Sequence, residues 1–266
     1  MKLGGFGKIA DYDLMRQAGF DYAELDVPEI EALPDGEFHA FCEKVQKAGF
    51  PVLTGSRALP VAEPWFFTEH FRAAEYEPYL KHACRRAGML GMKKVILGNG
   101  KARWLPDETG IQKENRFLDF MKMFAETAGE QGLEVILEPL GPIYSNYINT
   151  LPEAVQVIQK IQMPNLFTMA DLRHMVWSKE SFEDLLECAE YVHHIHIDYP
   201  LSYPERSFPR TEDDYDYTEF LDALVKSGYQ STLTVEADIP ENWKEAYMDA
   251  ACVLKGIYKD RTAKIE

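Results

Sequence analysis

The chain has 266 residues, of which 46% are hydrophobic and 27% are charged, a composition typical of a folded globular protein rather than a disordered one. Its net charge of −16 argues against nucleic acid as a partner, because Lys and Arg are the residues that bind phosphate backbones. No run of about 18 apolar residues predicts a membrane span, and the first residues lack the apolar core of a signal peptide, so we expect a cytoplasmic protein.

Short apolar runs bounded by turn residues predict eight β-strands. The strands are predicted at Lys2–Gly7, Tyr22–Val27, Pro51–Thr54, Lys94–Gly98, Glu134–Glu138, Leu166–Asp171, Val192–Asp198 and Thr232–Glu236. Longer stretches with a helical spacing of apolar residues separate them. The clear helices are predicted at Asp35–Ala48, Phe67–Ala87, Glu114–Gln131, Pro152–Ile161, Phe182–Ala189, Tyr217–Lys226 and Glu241–Tyr258.

The joins between helices and the strands that follow them repeat one pattern. Gly19, Gly49, Gly132 and Gly228 each close a helix directly before an apolar run, where glycine can adopt the left-handed conformation of a helix end. This regular order predicts βα units in a parallel sheet. Eight units fit a single-domain (β/α)8 TIM barrel over residues 1–266. An open doubly wound sheet is the alternative, but no G-x-G-x-x-G motif follows the first strand.

Four cysteines are scattered along the chain without a C-x-x-C pair. They are Cys42, Cys84, Cys188 and Cys252. This spacing predicts reduced thiols, as in a cytoplasmic protein, rather than a disulfide framework or a zinc knuckle.

The connections that follow strands are longer than those that precede them. Long loops after strands are predicted at Leu53–Trp65, Gly98–Gln112, Pro139–Thr150 and Tyr199–Glu212. In a parallel barrel these loops lie at the carboxyl ends of the strands, where active sites are built. We therefore expect a deep pocket at this end of the barrel, called the mouth below.

Acidic residues end four of the predicted strands, and three of these acids directly follow an apolar run. They are Glu138 at strand five, Asp171 at strand six and Glu236 at strand eight. A residue in this position has left the core and reached the mouth. Because the strands are neighbours in a barrel, we expect the three carboxylates to lie close together.

Strand seven, which lies between these strands, carries the segment H-H-I-H-I-D over residues 193–198. Alternation of side chains along a strand points His194, His196 and Asp198 to the same, inward face. His196 is the histidine of this face nearest the mouth, so we expect it to join the three carboxylates. We expect His194 one layer deeper, as a hydrogen-bonded core residue.

Two glutamates, one aspartate and one imidazole form an oxygen-rich set of ligands for one divalent metal ion. Such a set favours Mn²⁺, with Mg²⁺, Co²⁺ or Zn²⁺ as alternatives. A carboxylate at a strand end can instead cap a helix or lie in a solvated turn. Four such groups on consecutive strands favour the metal site.

Five segments of the chain, in this order, resemble a known family. They are V-I-L-G-N-G-K-A-R-W-L-P (95–106), V-I-L-E-P-L (135–140), D-L-R-H-M (171–175), H-I-H-I-D (194–198) and L-T-V-E (233–236). They resemble the xylose-isomerase-like TIM barrels, which include ketose 3-epimerases, hydroxypyruvate isomerases and inosose dehydratases. For the ketose 3-epimerases, the resemblance implies Glu138, Asp171, His196 and Glu236 as metal ligands and His174 as a contact to a substrate oxygen.

Two features depart from the epimerase pattern. The family has a second Glu shortly after the one on strand five, whereas residues 139–144 contain no acid. The family also has an Arg six residues beyond the metal-binding His, where this chain has Ser202. Arg206 lies four residues further on, in a loop that could shift to bring it to the site.

These residues predict proton abstraction next to a carbonyl of a small sugar or sugar derivative, with the metal stabilising an enediolate. Glu138 and Glu236 would face each other, one removing the proton and the other returning it, as in an isomerase or epimerase. Three alternatives stay open. They are a lyase on the same site, like an inosose dehydratase or a 3-keto-glycoside-cleaving enzyme; a sugar-binding barrel without catalysis; and an endonuclease IV-like phosphodiesterase, which the acidic charge disfavours.

Further substrate contacts are predicted around the mouth. Lys101 and Arg103 could bind a phosphate or carboxylate of the substrate, with a solvated loop as the alternative. Glu24, near the end of strand two, could contact a substrate hydroxyl or pair with a neighbouring side chain. Apolar residues within Phe117–Phe124 could serve a homo-oligomer or the barrel wall.

Overall fold

A computed structural model describes residues 1–106 and 110–262 of the protein. Eight parallel strands pair in chain order, and the last pairs with the first, so the sheet closes into a barrel. The strands are β1 (Lys2–Gly7), β2 (Tyr22–Asp26), β3 (Val52–Ser56), β4 (Lys94–Leu97), β5 (Glu134–Leu137), β6 (Leu166–Asp171), β7 (Val192–Ile197) and β8 (Thr232–Val235). The predicted (β/α)8 barrel is confirmed.

Ten α-helices lie within the described residues and surround the barrel. They are α1 (Tyr12–Ala18), α2 (Val27–Ala32), α3 (Asp35–Ala48), α4 (Glu77–Leu90), α5 (Gly110–Gly129), α6 (Leu151–Ile161), α7 (Leu172–Ser178), α8 (Asp184–Glu187), α9 (Thr218–Lys226) and α10 (Trp243–Thr262). Residues 107–109 of the predicted loop Gly98–Gln112 and the side chain of Cys252 lie outside the described residues.

The repeated helix–glycine–strand pattern has the predicted structural basis. Gly19, Gly49, Gly132 and Gly228 all have positive φ angles, between 63° and 90°. Gly91, which the sequence analysis did not single out, closes α4 in the same way, with a φ of 95°. Each of these turns returns the chain from a helix to the amino end of the next strand, so the long loops collect at the mouth.

One predicted helix begins too early. The sequence predicts a helix over Phe67–Ala87, whereas α4 starts only after a 3₁₀ turn at Ala73–Tyr76. The preceding segment is irregular and buries Phe66 against Phe71, with 5.4 Å between ring centres. Pro78 in the first turn of α4 suits a helix start, because the first backbone N–H groups have no partner inside the helix. The helical spacing of apolar residues here therefore reflects aromatic burial beneath a loop.

The interior of the barrel has an apolar part and a polar part. Ile96, Ile136 and Met169 form a small apolar cluster that is separate from the main core between strands and helices. TIM barrels usually fill the interior with bulky branched side chains. This barrel instead also buries a connected set of polar side chains, which comprises Tyr22, Glu24, Lys94, His194, Thr232 and Thr234.

The apolar face of α5 belongs to the barrel wall. Phe117, Phe120, Met121 and Phe124 are all buried in the main core. Of the two alternatives left open for Phe117–Phe124, the structure therefore favours internal packing over a subunit interface.

The described helices include none that is long and apolar enough to cross a lipid bilayer. Cys42, Cys84 and Cys188 are free thiols, as predicted. Cys84 and Cys188 are buried and Cys42 is half-buried.

We expect Gly4→Ala to destabilise the barrel, because a Cβ at Gly4 would lie 2.2 Å from Cζ of Tyr22. The Tyr22 hydroxyl is held at 2.7 Å by Thr234 Oγ1, so the ring cannot easily move. The expected loss is about 1–3 kcal/mol in the free energy of unfolding, as for other overpacked cores, measured by urea denaturation.

Gly36→Ala is the matched control for this variant. A Cβ there meets nothing within 4 Å, and Gly36 lies in α3, so this change should leave stability equal or higher by up to about 1 kcal/mol. Equal stability of the two variants would contradict the tight packing of Tyr22 inside the barrel.

Candidate metal centre

Four side chains from four neighbouring strands meet at the mouth. One ligand-type atom from each of Glu138, Asp171, His196 and Glu236 lies within 4.8 Å of every other. His196 Nδ1 is 3.7 Å from Glu138 Oε1, 3.8 Å from Asp171 Oδ2 and 3.0 Å from Glu236 Oε2. The structure thus brings together the four residues that were selected from the sequence as candidate metal ligands.

Three neighbours hold Glu138 in place. Its backbone N–H donates to the carbonyl of Leu97 at 3.2 Å, which extends the β4–β5 ladder by one residue. Its own carbonyl accepts a 2.7 Å hydrogen bond from Arg103 Nη2. Its carboxylate lies over Gly98, where a Cβ would come within 2.0 Å of Oε2. A glycine is therefore needed at position 98 for this carboxylate position.

The backbone also positions the other two carboxylates. Asp171 is the last residue of β6 and the N-cap of α7, and its Oδ1 accepts from the backbone N–H of His174 at 3.1 Å. Glu236 directly follows β8, and its N–H donates to the carbonyl of Ile197 at 3.1 Å. Asp171 is therefore both a helix cap and a member of the cluster. Capping a helix and facing a metal site, which the sequence left as alternatives for such an acid, are compatible at this position.

His196 uses only one of its ring nitrogens inside the protein. Its Nε2 is hydrogen-bonded to Glu24 Oε1 at 2.9 Å, which fixes the ring orientation. Its Nδ1 faces the three carboxylates of the cluster, is buried, and makes no hydrogen bond of acceptable geometry. A histidine with a carboxylate hydrogen-bonded to one ring nitrogen, and with its other nitrogen turned toward acidic side chains, has the usual arrangement of a metal-binding histidine.

Glu24 is the centre of the polar network beneath His196. Its Oε2 is hydrogen-bonded to His194 Nε2 at 2.9 Å and accepts from Thr234 Oγ1 at 2.8 Å, while His194 Nδ1 contacts Thr232 Oγ1 at 2.8 Å. Burial opposes the charge of Glu24, but His196 and His194 outweigh it and hold its pKa well below the usual range. Burial lowers the pKa of His194 to about 4, so this ring is neutral.

This network decides between the two predictions for Glu24. The side chain pairs with neighbours, and it is fully buried rather than part of the cavity wall. Glu24, His194 and His196 are close enough to suggest a second metal site. Their facing atoms, however, are already hydrogen-bonded to one another.

Arg206 supplies positive charge to the cluster. Its Nη1 donates to Glu236 Oε2, and its Nη2 lies 3.2 Å from Asp171 Oδ2. Burial alone would raise the pKa of both carboxyls, but Arg206 and the histidines outweigh it and lower their pKa. Glu138 differs, because burial raises its pKa.

His174 faces the same cluster from the first turn of α7. Its Nε2 is 3.2 Å from Arg206 Nη2 and 3.6 Å from Glu138 Oε1. Burial lowers the pKa of His174 to about 4. The ring is therefore neutral and can accept from Arg206 or exchange a hydrogen bond with a substrate oxygen.

The cluster fits one divalent cation. First-row divalent ions lie about 2.1 Å from oxygen and nitrogen ligands, which places the ligand atoms about 3 to 4.3 Å apart. The three distances from His196 Nδ1, between 3.0 and 3.8 Å, agree with this spacing. The buried Nδ1 that faces three carboxylates is the observation that most favours a cation here.

The cluster opens into a cavity of about 540 Å³. Of the residues predicted to bind substrate, Lys101, His174 and Arg206 line this cavity. Arg103 is fully buried behind Glu138, so the structure gives it a supporting position instead of a place in the wall. A contact between Lys101 and a charged group of the substrate stays a prediction.

Sequence reasoning missed Arg173, a fully buried cation on α7. Its Nε donates to Asp198 Oδ2 at 2.6 Å. Its two terminal nitrogens donate to the carbonyls of Tyr199, Ser202 and Glu205, and Nη2 also donates to the Ser202 hydroxyl at 2.9 Å. The guanidinium of Arg173 therefore holds the loop after β7 in place from Tyr199 to Glu205.

These hydrogen bonds of Arg173 explain how Arg206 reaches the site, although it lies four residues beyond the position expected from the epimerases. Ser202, at the expected position, accepts hydrogen bonds from Arg173 and donates its hydroxyl to the Tyr199 carbonyl at 2.8 Å. The sequence contained one indication that Arg173 lies near the site, because this residue stands between Asp171 and His174 in the segment D-L-R-H-M.

A family model described as a xylose isomerase-like TIM barrel matches residues 12–256. Several curated relatives carry the name "Putative hydroxypyruvate isomerase", and others are ketose 3-epimerases. The ketose 3-epimerase of Arthrobacter globiformis is 27% identical over 114 residues, which cover 42% of this chain and 38% of that protein. The matches to curated relatives span between 38% and 68% of the relatives' own lengths.

Solved structures share the fold over nearly the whole chain. The 3-keto-D-glucoside 4-epimerase of E. coli has a TM-score of 0.81 at 18% identity, covering 96% of this chain and 99% of its own. An IolI protein with a bound zinc atom has a TM-score of 0.80 at 19% identity, covering 98% and 99%. At such identities these similarities establish the fold.

We expect Arg173→Met to loosen the loop after β7, because it removes the donors to residues 199–205 and leaves Asp198 buried without its 2.6 Å partner. Breaking a buried ion pair in this way costs about 3–5 kcal/mol of stability. Hydrogen–deuterium exchange of residues 199–206 should accelerate well beyond that of the strands.

Arg210→Met, a change to an exposed arginine of the same loop, is the control and should leave exchange unchanged. Arg173→Lys keeps the charge without the full fork of donors and should give an intermediate exchange rate. Unaltered exchange over 199–206 in Arg173→Met would contradict this role of Arg173.

Proposed function

The chain belongs to the xylose isomerase-like TIM barrel family, and we propose that it is a divalent-metal-dependent isomerase or epimerase of a small sugar or sugar derivative. The observation that carries this proposal is the meeting of three carboxylates with the buried Nδ1 of His196 at the spacing of ligands around one cation. The names of the relatives, which are isomerases and 3-epimerases, support the same reaction class.

Glu138, Asp171, His196 and Glu236 would hold the ion. Their oxygen-rich set favours Mn²⁺, with Mg²⁺, Co²⁺ or Zn²⁺ as alternatives. When bound, the ion would polarise the substrate carbonyl and stabilise the negative charge that develops when the neighbouring proton leaves.

The two glutamates would divide the proton transfers between them. Both carboxylates belong to the cluster. One would remove the proton from the substrate, and the other would return a proton to it. Delivery to the opposite face gives an epimerase, and delivery to the next carbon gives an isomerase.

Two further side chains would orient the substrate. The neutral His174 ring, 3.6 Å from Glu138 Oε1, can hydrogen-bond a substrate oxygen beside that carboxylate. The Arg206 guanidinium faces the same space and can donate to a second oxygen. Together they would align the carbon that loses its proton with the two glutamates.

The lyase alternative shares the first proton abstraction and differs in the product. Incubation with a ketohexose, a 3-keto sugar and an inosose, followed by product analysis, separates the reaction classes. An epimer or a shifted carbonyl supports the proposal. An eliminated hydroxyl or aglycone would reassign the protein to the lyases.

Metal binding should stabilise the protein through Asp171. Mn²⁺ at about 100-fold excess over its Kd should raise Tm by about 5–10 °C after removal of metal with chelator. Asp171→Asn should abolish this rise without unfolding the protein, because Asn also caps helices well. Asp119→Asn, on the exposed face of α5, is the control and should keep the full rise. A full rise in Asp171→Asn would contradict the assigned ligand set.

Removal of either glutamate should stop turnover on whichever substrate of the panel reacts. Glu138→Gln and Glu236→Gln keep the side-chain shape and lose the proton transfer, so we expect kcat to fall at least about 100-fold. Glu126→Gln, an exposed change on α5, should keep full activity. Near-full activity of Glu236→Gln would rule out the proposed division of roles.

A further inference from the structure

The wall of the mouth cavity combines polar side chains, which include the exposed Arg57 and Lys101, with an apolar part. Three loops each contribute two consecutive apolar residues to this wall. They are Val61 and Ala62 after β3, Ile143 and Tyr144 after β5, and Tyr203 and Pro204 after β7. We call these six residues the collar. All of them are half-buried or exposed, whereas Glu138, His174 and His196 at the base of the cavity are buried.

The aromatic side of the collar is held in place by packing. The Tyr203 ring packs against Trp177 at 5.5 Å and against Tyr144 at 6.4 Å between ring centres. Tyr144 in turn contacts His174 edge to face at 5.0 Å. Trp177 is fixed by a 3.1 Å hydrogen bond from Nε1 to the carbonyl of Pro200. The collar is therefore joined directly to the candidate catalytic residues.

The opposite loop is also fixed. Asn99 Nδ2 donates to the carbonyls of Leu59 and Val61, at 2.7 and 3.0 Å. The Asn99 Oδ1 accepts from the Leu59 N–H at 3.3 Å. A buried side chain of the β4 loop thus sets the position of Val61 in the collar.

Large apolar side chains are exposed mainly at this end of the barrel. Tyr203 is 53% exposed and Ile143 is 40% exposed. Two more, Trp104 and Leu201, lie on loops after β4 and β7 outside the cavity wall, so four of the seven large apolar side chains exposed in the described residues lie on loops after strands, and two of them line the cavity. Such a concentration at a cavity marks a binding surface for an apolar group.

A free monosaccharide would leave this surface unused. A hexose carries hydroxyls on nearly every carbon, and the side chains of the collar offer hydrogen-bonding groups only on its two tyrosines. Hydroxyls facing Val61, Ile143 or Pro204 would lose their water partners without replacement.

We propose that the collar is a second subsite, which binds an apolar, aromatic substituent on the sugar that reacts at the carboxylates. The substrate class is therefore a keto sugar that carries an aryl group, such as an aryl glycoside with a ketone on its sugar ring, rather than a free ketose. This proposal rests on the proposed function for the position of the sugar ring, and it adds the group to which that ring is attached.

Three non-reacting glucosides test the subsite on the Mn²⁺-loaded protein by calorimetry. Methyl β-D-glucopyranoside presents the sugar alone, phenyl β-D-glucopyranoside adds an apolar ring, and cellobiose adds a second polar ring. We expect the phenyl glucoside to bind at least about tenfold more tightly than the methyl glucoside, because the phenyl ring buries apolar area against the collar. Cellobiose should show no such gain.

Tyr203→Ser and Ile143→Ser change exposed collar residues, so neither should prevent folding. Each should reduce the ratio of phenyl to methyl affinity to near one. Met89→Ser replaces an apolar side chain of α4 that is 52% exposed and lies outside the cavity, and it should keep the tenfold ratio.

Three outcomes would overturn the subsite. They are equal binding of phenyl and methyl glucosides, a preference for cellobiose over the phenyl glucoside, and a concentration-dependent dimer in sedimentation velocity that Tyr203→Ser dissociates. The last result would show that the collar is an interface with a second copy of the chain.

Failure of the proposed function looks different. In that case the phenyl preference persists while binding of all three glucosides is the same with and without Mn²⁺. Loss of the preference with retained Mn²⁺ dependence would remove the subsite alone.

Discussion

The buried charges at the mouth are the constraint on which the rest of this structure depends. Three carboxylates and one imidazole lie within 4.8 Å of one another in a site that excludes most solvent. Charges of one sign cannot be buried together without positive partners, because desolvation and mutual repulsion both oppose it. Arg206 provides part of this compensation, and the spacing leaves a fitting place for a divalent cation.

Most of the surrounding polar structure serves to keep these groups in position. Glu24 holds His196 from below, Arg103 holds the backbone of Glu138 from behind, and Arg173 holds the loop that carries Arg206. Each support is buried and bonded to backbone or to a charged partner, so it adds rigidity without a place in the cavity wall. This division explains why a barrel with a partly polar interior can still be well packed.

The sequence predicted the barrel because its signals are local. Apolar strands recur in every unit, glycine-closed helices precede five of the eight strands, and the acids at the strand ends stand out against the apolar runs before them. The short helices α2 and α7 escaped prediction because six or seven residues give too few turns for a clear period. Both also begin at an aspartate, Asp26 or Asp171, which caps the helix while ending a strand.

The residues that hold the cluster in place could not be predicted from the sequence, because their contacts are distant along the chain. Glu24 and His194 are 170 residues apart in the chain, so nothing local shows that they pair. Whether Arg103 lines the cavity or lies behind it depends on the path of a loop. Arg206 could be foreseen only as an arginine displaced by four residues, because its position depends on the hydrogen bonds of Arg173.

Anomalous X-ray diffraction from crystals grown with Mn²⁺ tests the central claim most directly. We expect one anomalous peak per chain, about 2.2 Å from Glu138, Asp171, Glu236 and the Nδ1 atom of His196. An absence of anomalous signal at these four side chains, with Mn²⁺ bound elsewhere or not at all, would contradict the account.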